Sequence, residues 1–512
     1  MTERILIASG NPWSFCLAVE REMARSSPGA QVDALNLFTL CSRASPHWRP
    51  RDKVIETLNR KFERFVLPVI NGRDITGDMR IAEGGIPPLP RTYEALRAYE
   101  AAGAKVGLAV LSSVSSLTTI QHPSALDEYG PVLELAWRTA HLSLRIGQAV
   151  RAHSYDKVVI FNGRHCYSRP FCDILERDSE VIRYEQGSAG NRYIAAPHSV
   201  HEPRCLQRLI EAHCVDASAG EAFFQSRMNR EATNEVGFFT STQLRGALPA
   251  GMEQVRTVAF FTSSSDEMHA VTDHALYGSF PTQNDVALAL ADNCRELGLK
   301  LLIRLHPHLR FKHPAWKREW DFAELEQRGA VVLAPEDPAD SYAILRASHC
   351  VVTTGSTIGL EASYLGIPNV VVGTWLGACL GASVAADTAE DLARFIAEPH
   401  LPPHARERAL RFGSFYRSAG KLLPELDVGI HPNLARIDGR VVDPIRYAVQ
   451  KLRFMFRPPV TDPNALDIKS GLQAGRVVLA PGTDYASAYG KDATSGVTKS
   501  RRAATEKSRS GE

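Results

Sequence analysis

Three apolar runs in the second half of the chain each end in residues that could bind a phosphate. TVAFF at 257–261 is followed by hydroxyl residues, LLIRL at 301–305 by His306 and Pro307, and CVV at 350–352 by the run TTGST. Hydroxyl and backbone N–H donors at the start of a helix bind anions, because the helix dipole adds positive potential there. The imidazole could donate to the same phosphate, with the proline fixing the turn that aims it.

Glu361 adds a group suited to a nucleoside. It lies a little over one helical turn beyond Ser356, and a carboxylate placed there can accept hydrogen bonds from a ribose diol. Each signal also has a structural explanation. Ser356 could be the N-cap of the helix, and a single histidine at a strand end often serves packing. The recurrence of such endings after three strands of one sheet favours a binding site over these alternatives.

Short β-branched runs alternate with helix-length amphipathic stretches, the pattern of parallel sheets covered by helices. The first series predicts strands at RILIAS, VDALNL, KVGLAVL, KVVIFNG and EVIRYEQG, with helices near 91–103 and 131–152. The second series predicts TVAFFTSS, a helix near 283–297, LKLLIRLHPH, AVVLAP, SHCVVTTG and PNVVVG. Ligands collect outside the carboxyl ends of such strands, which is where the hydroxyl residues and the histidine lie.

The chain is longer than one hydrophobic core usually serves, since 512 residues predict at least two domains. The two series of strands place an N-terminal Rossmann-like domain at 1–240 and a second Rossmann-like domain at 255–425. Residues 426–460, which include YAVQKLRFMFRPPV, are expected to form a terminal helical segment that packs on a domain or docks on a membrane surface. Residues 461–512 are rich in Gly, Ser, Thr, Ala, Lys and Arg and predict a disordered tail.

Composition and motifs exclude several classes of function. A formal net charge of +2 with 23% charged residues gives no sign of a nucleic-acid partner. The apolar stretch of the N-terminal MTERILIASGNPWS is too short for a signal-peptide core, and no segment is long enough for a membrane-spanning helix. Nine scattered cysteines without a C-x-x-C pair indicate reduced thiols. His306, His308 and His313 match no metal-ligand spacing, so no metal and no other cofactor is expected. The P-loop, the three-glycine dinucleotide fingerprint and the nucleophile elbow are missing.

The residues around these strand ends resemble a known family. FTSSSDE at 261–267, RLHPHLR at 304–310 and SYAILRASHCVVTTGSTIGLEASYLGIPNVVVG at 341–373 are similar to the donor half of two-domain GT-B glycosyltransferases of bacterial capsule and surface-polysaccharide biosynthesis. The resemblance is closest to the Kdo-transferase-like group, extends to VVIFNGR and RYEQGS, and covers roughly residues 155–375. It implies two Rossmann-like domains facing a central cleft. It also implies these donor-site residues: Ser263, Ser264, His306, Pro307, Ser356, Thr357 and Glu361.

The resemblance implies a metal-independent, inverting transfer of a sugar from a nucleotide sugar to a growing surface glycan. Negative charge builds on the departing phosphate, and preorganised N–H, hydroxyl and imidazole donors can stabilise it. The general base is expected in the N-terminal domain, at Glu185 with a pKa raised by an apolar rim or, as second choice, at His165. Glu185 could instead form a structural ion pair with Arg183, Arg192 or Arg164.

Two other functions fit the same architecture. A nucleotide-sugar 2-epimerase has a similar Ser-Gly-Glu turn and would act on the donor without an acceptor, and a non-catalytic polysaccharide-assembly protein could retain the fold. Resemblance to Kdo- and sialic-acid-transferring groups favours a CMP-linked donor. The expected partners are this nucleotide sugar and a glycan or lipid-linked glycan acceptor. The expected location is the cytoplasm, with peripheral docking on the inner membrane face as an option.

Overall fold

Two six-stranded sheets, each covered by helices on both faces, form the architecture seen in the computed structural model. Each sheet has its own hydrophobic core. The predicted α/β fold of two Rossmann-like domains is confirmed. The structure describes residues 2–11, 13–43, 52–81, 84–118, 120, 126–187, 191–230, 243–264, 266, 268–272, 276–312, 314–427, 435–444 and 477–479.

The first sheet is parallel except at one edge. Five of its six strands are β1 Arg4–Ser9, β2 Gln31–Asn36, β3 Lys157–Phe161, β4 Glu180–Gln186 and β5 Arg192–Ala196. The order is β2-β1-β3-β4-β5, with β5 antiparallel to β4. Chain order therefore reverses between β1 and β3, and such a switch point opens a crevice outside the carboxyl ends of the strands.

Helices cover both faces of this sheet. They are α1 Ser14–Arg25, α2 Leu37–Arg43, α3 Asp52–Phe65, α4 Tyr93–Arg97, α5 Val106–Thr118, α6 Leu126–Arg151 and α7 Arg169–Leu175. Side chains of β1 alternate between the faces: Ile5 and Ile7 pack with α1, whereas Leu6 and Ala8 pack with α6 and α7. A strand that is apolar on both faces is typical of a buried parallel sheet.

The predicted strand KVGLAVL is wrong, because its residues begin helix α5. A short continuous apolar run fits a buried strand and a buried helix equally well. Helix α5 packs against α4, α6 and α7 and is buried on nearly every side, so its sequence lacks the polar stripe that would indicate a helical period. Gly107 permits this packing, since a Cβ there would lie 1.7 Å from the carbonyl oxygen of Leu96.

The second sheet is parallel throughout. The second half of the chain contains β6 Ala247–Pro249, β7 Thr257–Phe261, β8 Lys300–Arg304, β9 Val331–Leu333, β10 Cys350–Thr353, β11 Asn369–Val372 and β12 Val384–Ala386. The sheet order is β12-β11-β10-β7-β8-β9. Strand β7 therefore has β8 on one side and β10 on the other, and the chain order reverses between β7 and β10.

Helices pack on both faces of the second sheet and complete its hydrophobic core. Short 3-10 helices also occur in the described parts of both halves of the chain. The α-helices are α10 Gln283–Glu296, α11 Phe322–Gln327, α12 Ser341–Ala347, α13 Ile358–Leu365, α14 Leu376–Cys379 and α15 Ala389–Ala397, and the 3-10 helices are Leu67–Val69, Thr76–Asp78, Met252–Gln254, Pro307–Phe311 and Pro314–Glu319. Helices α10 and α15 pack on one face of the sheet, and α12 and α13 on the other.

Two helices of residues 203–228 pack on the second domain, although the sequence analysis assigned them to the first. They are α8 Pro203–Ala212 and α9 Ala217–Met228, and they share an apolar cluster with α13 and with α16, Ala405–Ser418. Phe224 stacks on Tyr364 with ring centroids 4.6 Å apart. A Cβ on Gly220 would lie 2.5 Å from the carbonyl oxygen of Leu410, so the glycine lets α9 and α16 approach closely.

After α16 the chain returns to the first domain. Strand β13, Lys421–Leu422, lies antiparallel to β5, and Leu423 enters the core beside α1. Strands β14 Leu426–Asp427, β15 Arg436–Ile437 and β16 Arg440–Val441 form a small antiparallel sheet. The prediction of a helix at 426–460 is therefore wrong for the described residues. They form short paired strands, and their apolar side chains pack on α1. Residues 445–460, with YAVQKLRFMFRPPV, lie outside the described part.

The predicted tail at 461–512 is described only at β17, Val477–Leu479, which pairs antiparallel with β6.

The two domains meet across a cleft, where Arg169 Nη1 donates to the carbonyl oxygens of Ala270 and Val271 at 3.0 and 2.9 Å. Because that loop follows β7, it brings the carboxyl edge of the second sheet towards the first domain. Among the described helices, none has the length and apolar character needed to cross a membrane.

Candidate functional site

The three strand ends identified in the sequence lie side by side at the switch point of the second sheet. Phe261 of β7 is in register with Arg304 of β8 and with Thr353 of β10. The backbone N–H of His306 donates to Thr262 Oγ1 over 2.9 Å, which joins the first loop to the second. The structure therefore brings the hydroxyl residues and the histidine to one edge of one sheet.

A small cavity of about 80 Å³ opens at this edge. The sequence-predicted residues on its walls are His306, Pro307, Ser356, Thr357 and Glu361. Among the described residues of the first loop, Thr262 lines the cavity, whereas Ser263 and Ser264 do not. Pockets for whole small-molecule ligands are usually several hundred cubic ångströms. A nucleotide could therefore enter only if side chains around this cavity moved.

Ser263 and Ser264 hold the first loop in shape. Ser263 N donates to Gln283 Oε1 at 2.9 Å, and Gln283 Nε2 donates back to the Ser263 carbonyl at 3.1 Å. Thr354 Oγ1 donates to the same amide oxygen at 2.6 Å, so this buried glutamine ties the first loop to the third. Ser264 Oγ donates to Asp266 at 2.6 Å. Gln283 carries no distinctive signal in the sequence, because it is one polar residue at the start of an amphipathic helix.

His306 presents a neutral imidazole at the cavity. Its Nδ1 accepts the backbone N–H of His308 at 3.2 Å, which makes it the N-cap of the 3-10 helix 307–311. Burial, followed by the charge of His308, lowers the pKa of His306 to about 4. Since Nδ1 is an acceptor, the proton of the neutral ring lies on Nε2. The side chain can therefore donate a hydrogen bond from Nε2 without carrying a charge.

Helix α13 begins at the same cavity, which Ser356, Thr357 and Ile358 line. Its N-cap is Thr357, which makes no side-chain cap bond, so the capping role considered for Ser356 is not observed. Gly355 precedes the helix with a φ of +96°, and a Cβ there would lie 2.2 Å from the ring of Trp375. This glycine lets the chain turn over the indole and directs the helix N-terminus at the cavity.

Glu361 is bound by a residue from the first half of the chain. Arg227 of α9 donates from Nε to Glu361 Oε1 at 2.6 Å and from Nη2 to Thr357 Oγ1 at 3.1 Å. The Glu361 side chain is only 2% exposed. Arg227 lies 134 residues before Glu361 and in no motif, so the sequence does not single it out. Only the packing of α9 on α13 brings it to the cavity.

The histidines considered as metal ligands form no cluster over the described residues. The rings of His306 and His308 have centroids 6.4 Å apart, and His313 lies outside the described part. No group of three or more His, Cys, Asp or Glu side chains suited to a metal ion occurs among the described residues.

Glu185 lies at the carboxyl end of β4 in the first sheet, beside Asn162 and His201. Asn162 Nδ2 donates to Glu185 Oε2 at 2.7 Å, and His201 Nε2 lies 3.2 Å from the same oxygen. Burial alone would raise the pKa of Glu185, but hydrogen bonds from His201, the Gln186 N–H and Asn162 outweigh it and hold the pKa below its ordinary value. The expected raised pKa is therefore wrong, and Glu185 is an ionised carboxylate at neutral pH.

The arginines considered as ion-pair partners of Glu185 bind elsewhere. Arg183 pairs with Glu176, Arg192 Nη1 donates to the carbonyl oxygens of Ser418 and Gly420, and Arg164 Nη1 donates to Ser112 Oγ. His165, the second candidate base, stacks on Tyr167 with ring centroids 5.7 Å apart. Burial, with the charges of Arg164 and His201, lowers the pKa of His165 well below its ordinary value.

A larger cavity of about 340 Å³ lies on the α7 side of the first sheet. Charged residues and one histidine on its walls are Lys105, Arg164, Arg169, Arg183, His198, Asp173, Glu176 and Glu202. Arg183 pairs with Glu176, Arg169 lies 3.9 Å from Asp173, and Glu202 caps α8. These internal pairs largely balance the charges, so the lining selects neither an anion nor a cation.

No family profile matches the sequence, and no curated protein is significantly similar to it. Solved structures with a similar arrangement include a beta Kdo 2,7 transferase, KpsC of Thermosulfurimonas dismutans, with 15% identity over 52% of this chain and 80% of that one, and a TM-score of 0.31. The UDP-GlcNAc 2-epimerase of Methanocaldococcus jannaschii has 11% identity over 80% and 98% of the two chains, with a TM-score of 0.28. A calicheamicin glycosyltransferase has 11% identity over 81% and 94%, with a TM-score of 0.26. One architecture hosts many activities, so function has to be inferred from the site.

Proposed function

We propose that the chain is a glycosyltransferase that uses a nucleotide-sugar donor. The observation that carries the proposal is a set of phosphate donors around one cavity at the switch point of the second sheet. They are the Nε2–H of His306, the N-terminus of α13 and the hydroxyls of Thr262 and Ser356. Phosphate oxygens accept hydrogen bonds from each of these groups. The cleft between the domains would admit the second substrate to the same phosphate.

The donor set suits stabilisation of a leaving phosphate. Transfer breaks the bond between the anomeric carbon and a phosphate oxygen, and the electron pair of that bond goes to the phosphate. Fixed donors lower the barrier when they bind this developing charge more strongly than they bind the intact donor. With a pKa of about 4, His306 keeps its Nε2 proton and stays neutral across the neutral range. We propose that this set acts without a metal.

We propose that the nucleoside binds where Arg227 now contacts Glu361. The cavity is about 80 Å³, and separation of this ion pair would enlarge it. The carboxylate could then accept the ribose diol, and the guanidinium could turn to the phosphate as a charged donor. Replacement of Arg227 by methionine should therefore weaken nucleotide binding, which titration calorimetry would measure. Unchanged binding would contradict this role.

On the acceptor side we propose Glu185 as the base, with His201 as its hydrogen-bonded partner. The acceptor oxygen forms a bond to the anomeric carbon as the phosphate leaves from the opposite face, which inverts the configuration. The acceptor proton passes to the pair. Glu185 has a lowered pKa and is a weak base alone, so a histidine 3.2 Å away would share the proton.

The deciding experiment incubates the protein with CMP-, UDP- and GDP-linked sugars, with and without a glycan acceptor. Free nucleotide that appears only with the acceptor supports transfer. An isomerised donor indicates a 2-epimerase instead, and unchanged donors indicate a non-catalytic assembly role. We propose a CMP-linked donor from the family resemblance. CMP should then inhibit more tightly than UDP or GDP, and an equal or reversed order would contradict this choice.

We further propose that the protein acts in the cytoplasm, where nucleotide sugars are made, on a surface glycan or a lipid-linked glycan. A lipid-linked acceptor would place it at the inner membrane face. Cell fractionation should recover the protein with the cytoplasm, together with a membrane-bound fraction that high salt releases, because salt screens contacts to anionic headgroups. Recovery from the periplasm would contradict this location.

A further inference from the structure

The first sheet has its own switch point, away from the phosphate donors of the second sheet. Strand β1 lies between β2 and β3, and ligands of open α/β sheets bind in the crevice outside the carboxyl ends of the strands at such a point. Gly10 directly follows β1 and Asn162 directly follows β3, and extension of the strand registers places both in one row with Glu185 of β4. The row ends at the candidate base, so a substrate in this crevice would reach it.

Trp13 borders this crevice and is strongly exposed. Trp13 is 63% accessible to solvent, and its ring packs on that of Phe161, the last residue of β3, with centroids 6.0 Å apart and planes inclined at 59°. Phe161 is in register with Tyr184, the residue before Glu185. The indole is therefore supported by the edge of the core and leaves most of its surface open beside the polar row.

Trp13 is an unfavourable residue for its position. It is the N-cap of α1, where Ser, Thr, Asp or Asn would stabilise the helix, and it makes no side-chain cap bond. Its backbone is held in place, because its N–H donates to Asn11 Oδ1 at 3.3 Å and its carbonyl accepts the Leu17 N–H at 3.0 Å. Residues that break a local rule without a stabilising gain concentrate at functional sites.

We propose that Trp13 is the stacking surface for a sugar ring of the acceptor, bound in the β1/β3 crevice with its hydroxyls towards Asn162, Glu185 and His201. This inference rests on the proposed glycosyltransferase function and names its acceptor subsite. The C–H groups on one face of a pyranose pack on a flat aromatic ring, and the hydroxyls at its rim need hydrogen-bond partners. The crevice offers both features, whereas an aliphatic chain would leave the polar row unused.

Intrinsic fluorescence tests this subsite directly. Methyl glycosides of glucose, galactose, mannose and N-acetylglucosamine are titrated into the wild type, Trp13→Phe and Trp320→Phe. Trp320 is a matched control, since it is partly exposed but lies in the second domain. We expect a saturable change in emission with at least one glycoside for the wild type and Trp320→Phe, and its loss in Trp13→Phe. A change that persists in Trp13→Phe, or no change with any glycoside in the wild type, would overturn the proposal.

Kinetics separates this inference from the proposed function. Trp13→Ala should raise the acceptor KM roughly tenfold, and Trp13→Phe should recover part of the loss because it keeps an aromatic face. The donor KM and the rise in Tm caused by nucleotides should stay at wild-type values. If nucleotides bind and the donor is consumed while both Trp13 variants keep the wild-type acceptor KM, the stacking role is wrong and the proposed function stands. If no nucleotide binds the wild type, the proposed function itself fails.

Discussion

His306 has two roles that a pair of variants can separate. Its Nδ1 accepts the His308 N–H, and its Nε2 carries the proton proposed for the phosphate. His306→Ala should lower the single-turnover transfer rate by about two to three powers of ten, the scale for losing one preorganised donor. His306→Ser should be equally slow but keep its thermal stability, because a serine N-cap can accept the same N–H. Rate and Tm measured on the same preparations test this prediction.

His349→Ala is the matched control for that pair, since His349 precedes β10 at the opposite, amino end of the sheet. It should leave the rate unchanged. A double substitution of His306 and Ser356 should lose less than the sum of the single losses, because both are proposed to contact one phosphate. If His306→Ser kept the wild-type rate, the histidine would act only as the N-cap of the 3-10 helix and not as a phosphate donor.

Glu20 of α1 makes the stability of the first domain depend on pH. It is fully buried, Tyr184 Oη donates to its Oε1 at 2.9 Å, and burial raises its pKa to about 8 despite this hydrogen bond. The unfolded chain loses this proton near its ordinary pKa of 4.5. The unfolded state thus binds fewer protons between the two values, so stability falls as pH rises through that window by up to about 1.4 kcal/mol per unit.

Glu20→Gln should remove this dependence, because the amide keeps an acceptor for Tyr184 and does not ionise. Urea unfolding of both proteins at several pH values between about 5 and 8 measures it. The advantage of the variant should grow with pH across the window. Parallel pH profiles for the two proteins would show that Glu20 does not hold its proton in the folded state.

At the scale of elements, the turn that starts α13 requires glycine for two reasons. Gly355 has a φ of +96°, and a Cβ there would lie 2.2 Å from the Trp375 ring. Gly329 is a matched control, with a φ of +85° and nothing within 4 Å of a Cβ. Gly329→Ala should cost about 1 kcal/mol of unfolding free energy from backbone strain alone. Gly355→Ala should cost about 1–3 kcal/mol more from overpacking and should weaken nucleotide binding.

Chemical denaturation and nucleotide titration of both variants check this prediction. Equal losses of stability, with nucleotide binding intact in Gly355→Ala, would mean that the loop shifts around the new methyl group without changing the cavity. The comparison therefore isolates the contact with the indole from the cost of the backbone conformation.

At the scale of the whole molecule, residues 421–427 and 435–442 pack on a domain that begins more than 400 positions earlier in the chain. Leu423 is fully buried among residues of the first sheet and α1. Leu423→Ala should destabilise the first domain by about 2–5 kcal/mol through the cavity it leaves. Leu422→Ala is the control, since Leu422 is 44% exposed and should change stability by less than about 0.5 kcal/mol.

Amide hydrogen exchange followed by mass spectrometry shows which domain Leu423→Ala destabilises, because exchange is measured separately for peptides of each domain. Leu423→Ala should raise exchange in β1, β3 and α1 while the second sheet stays at the wild-type level. Faster exchange confined to the second sheet would contradict the assignment of this segment to the first domain.

Much of the fold was predictable because buried parallel strands are marked by continuous apolar runs. Nine of the ten predicted strands, and the candidate site at the edge of the second sheet, followed from this signal, as with TVAFF and the residues after it. KVGLAVL failed because a helix buried on all sides carries the same signal. The predicted ion-pair partners of Glu185 were wrong. Its side chain instead contacts Asn162 and His201, which lie in the loops after β3 and β5, and the local spacing of residues does not encode contacts between loops.

The sequence by itself determined two α/β domains and the row of hydroxyl residues and histidine at the edge of the second sheet. These features are local: hydropathy selects strands, and parallel strands bring their carboxyl ends to one edge. Only the tertiary structure decided that Arg227 meets Glu361, that Trp13 borders a second crevice, and that Leu423 belongs to the first core. Each of these contacts depends on how helices and returning segments dock across long sequence separations, and that docking is set by the packing of whole surfaces rather than by any short pattern.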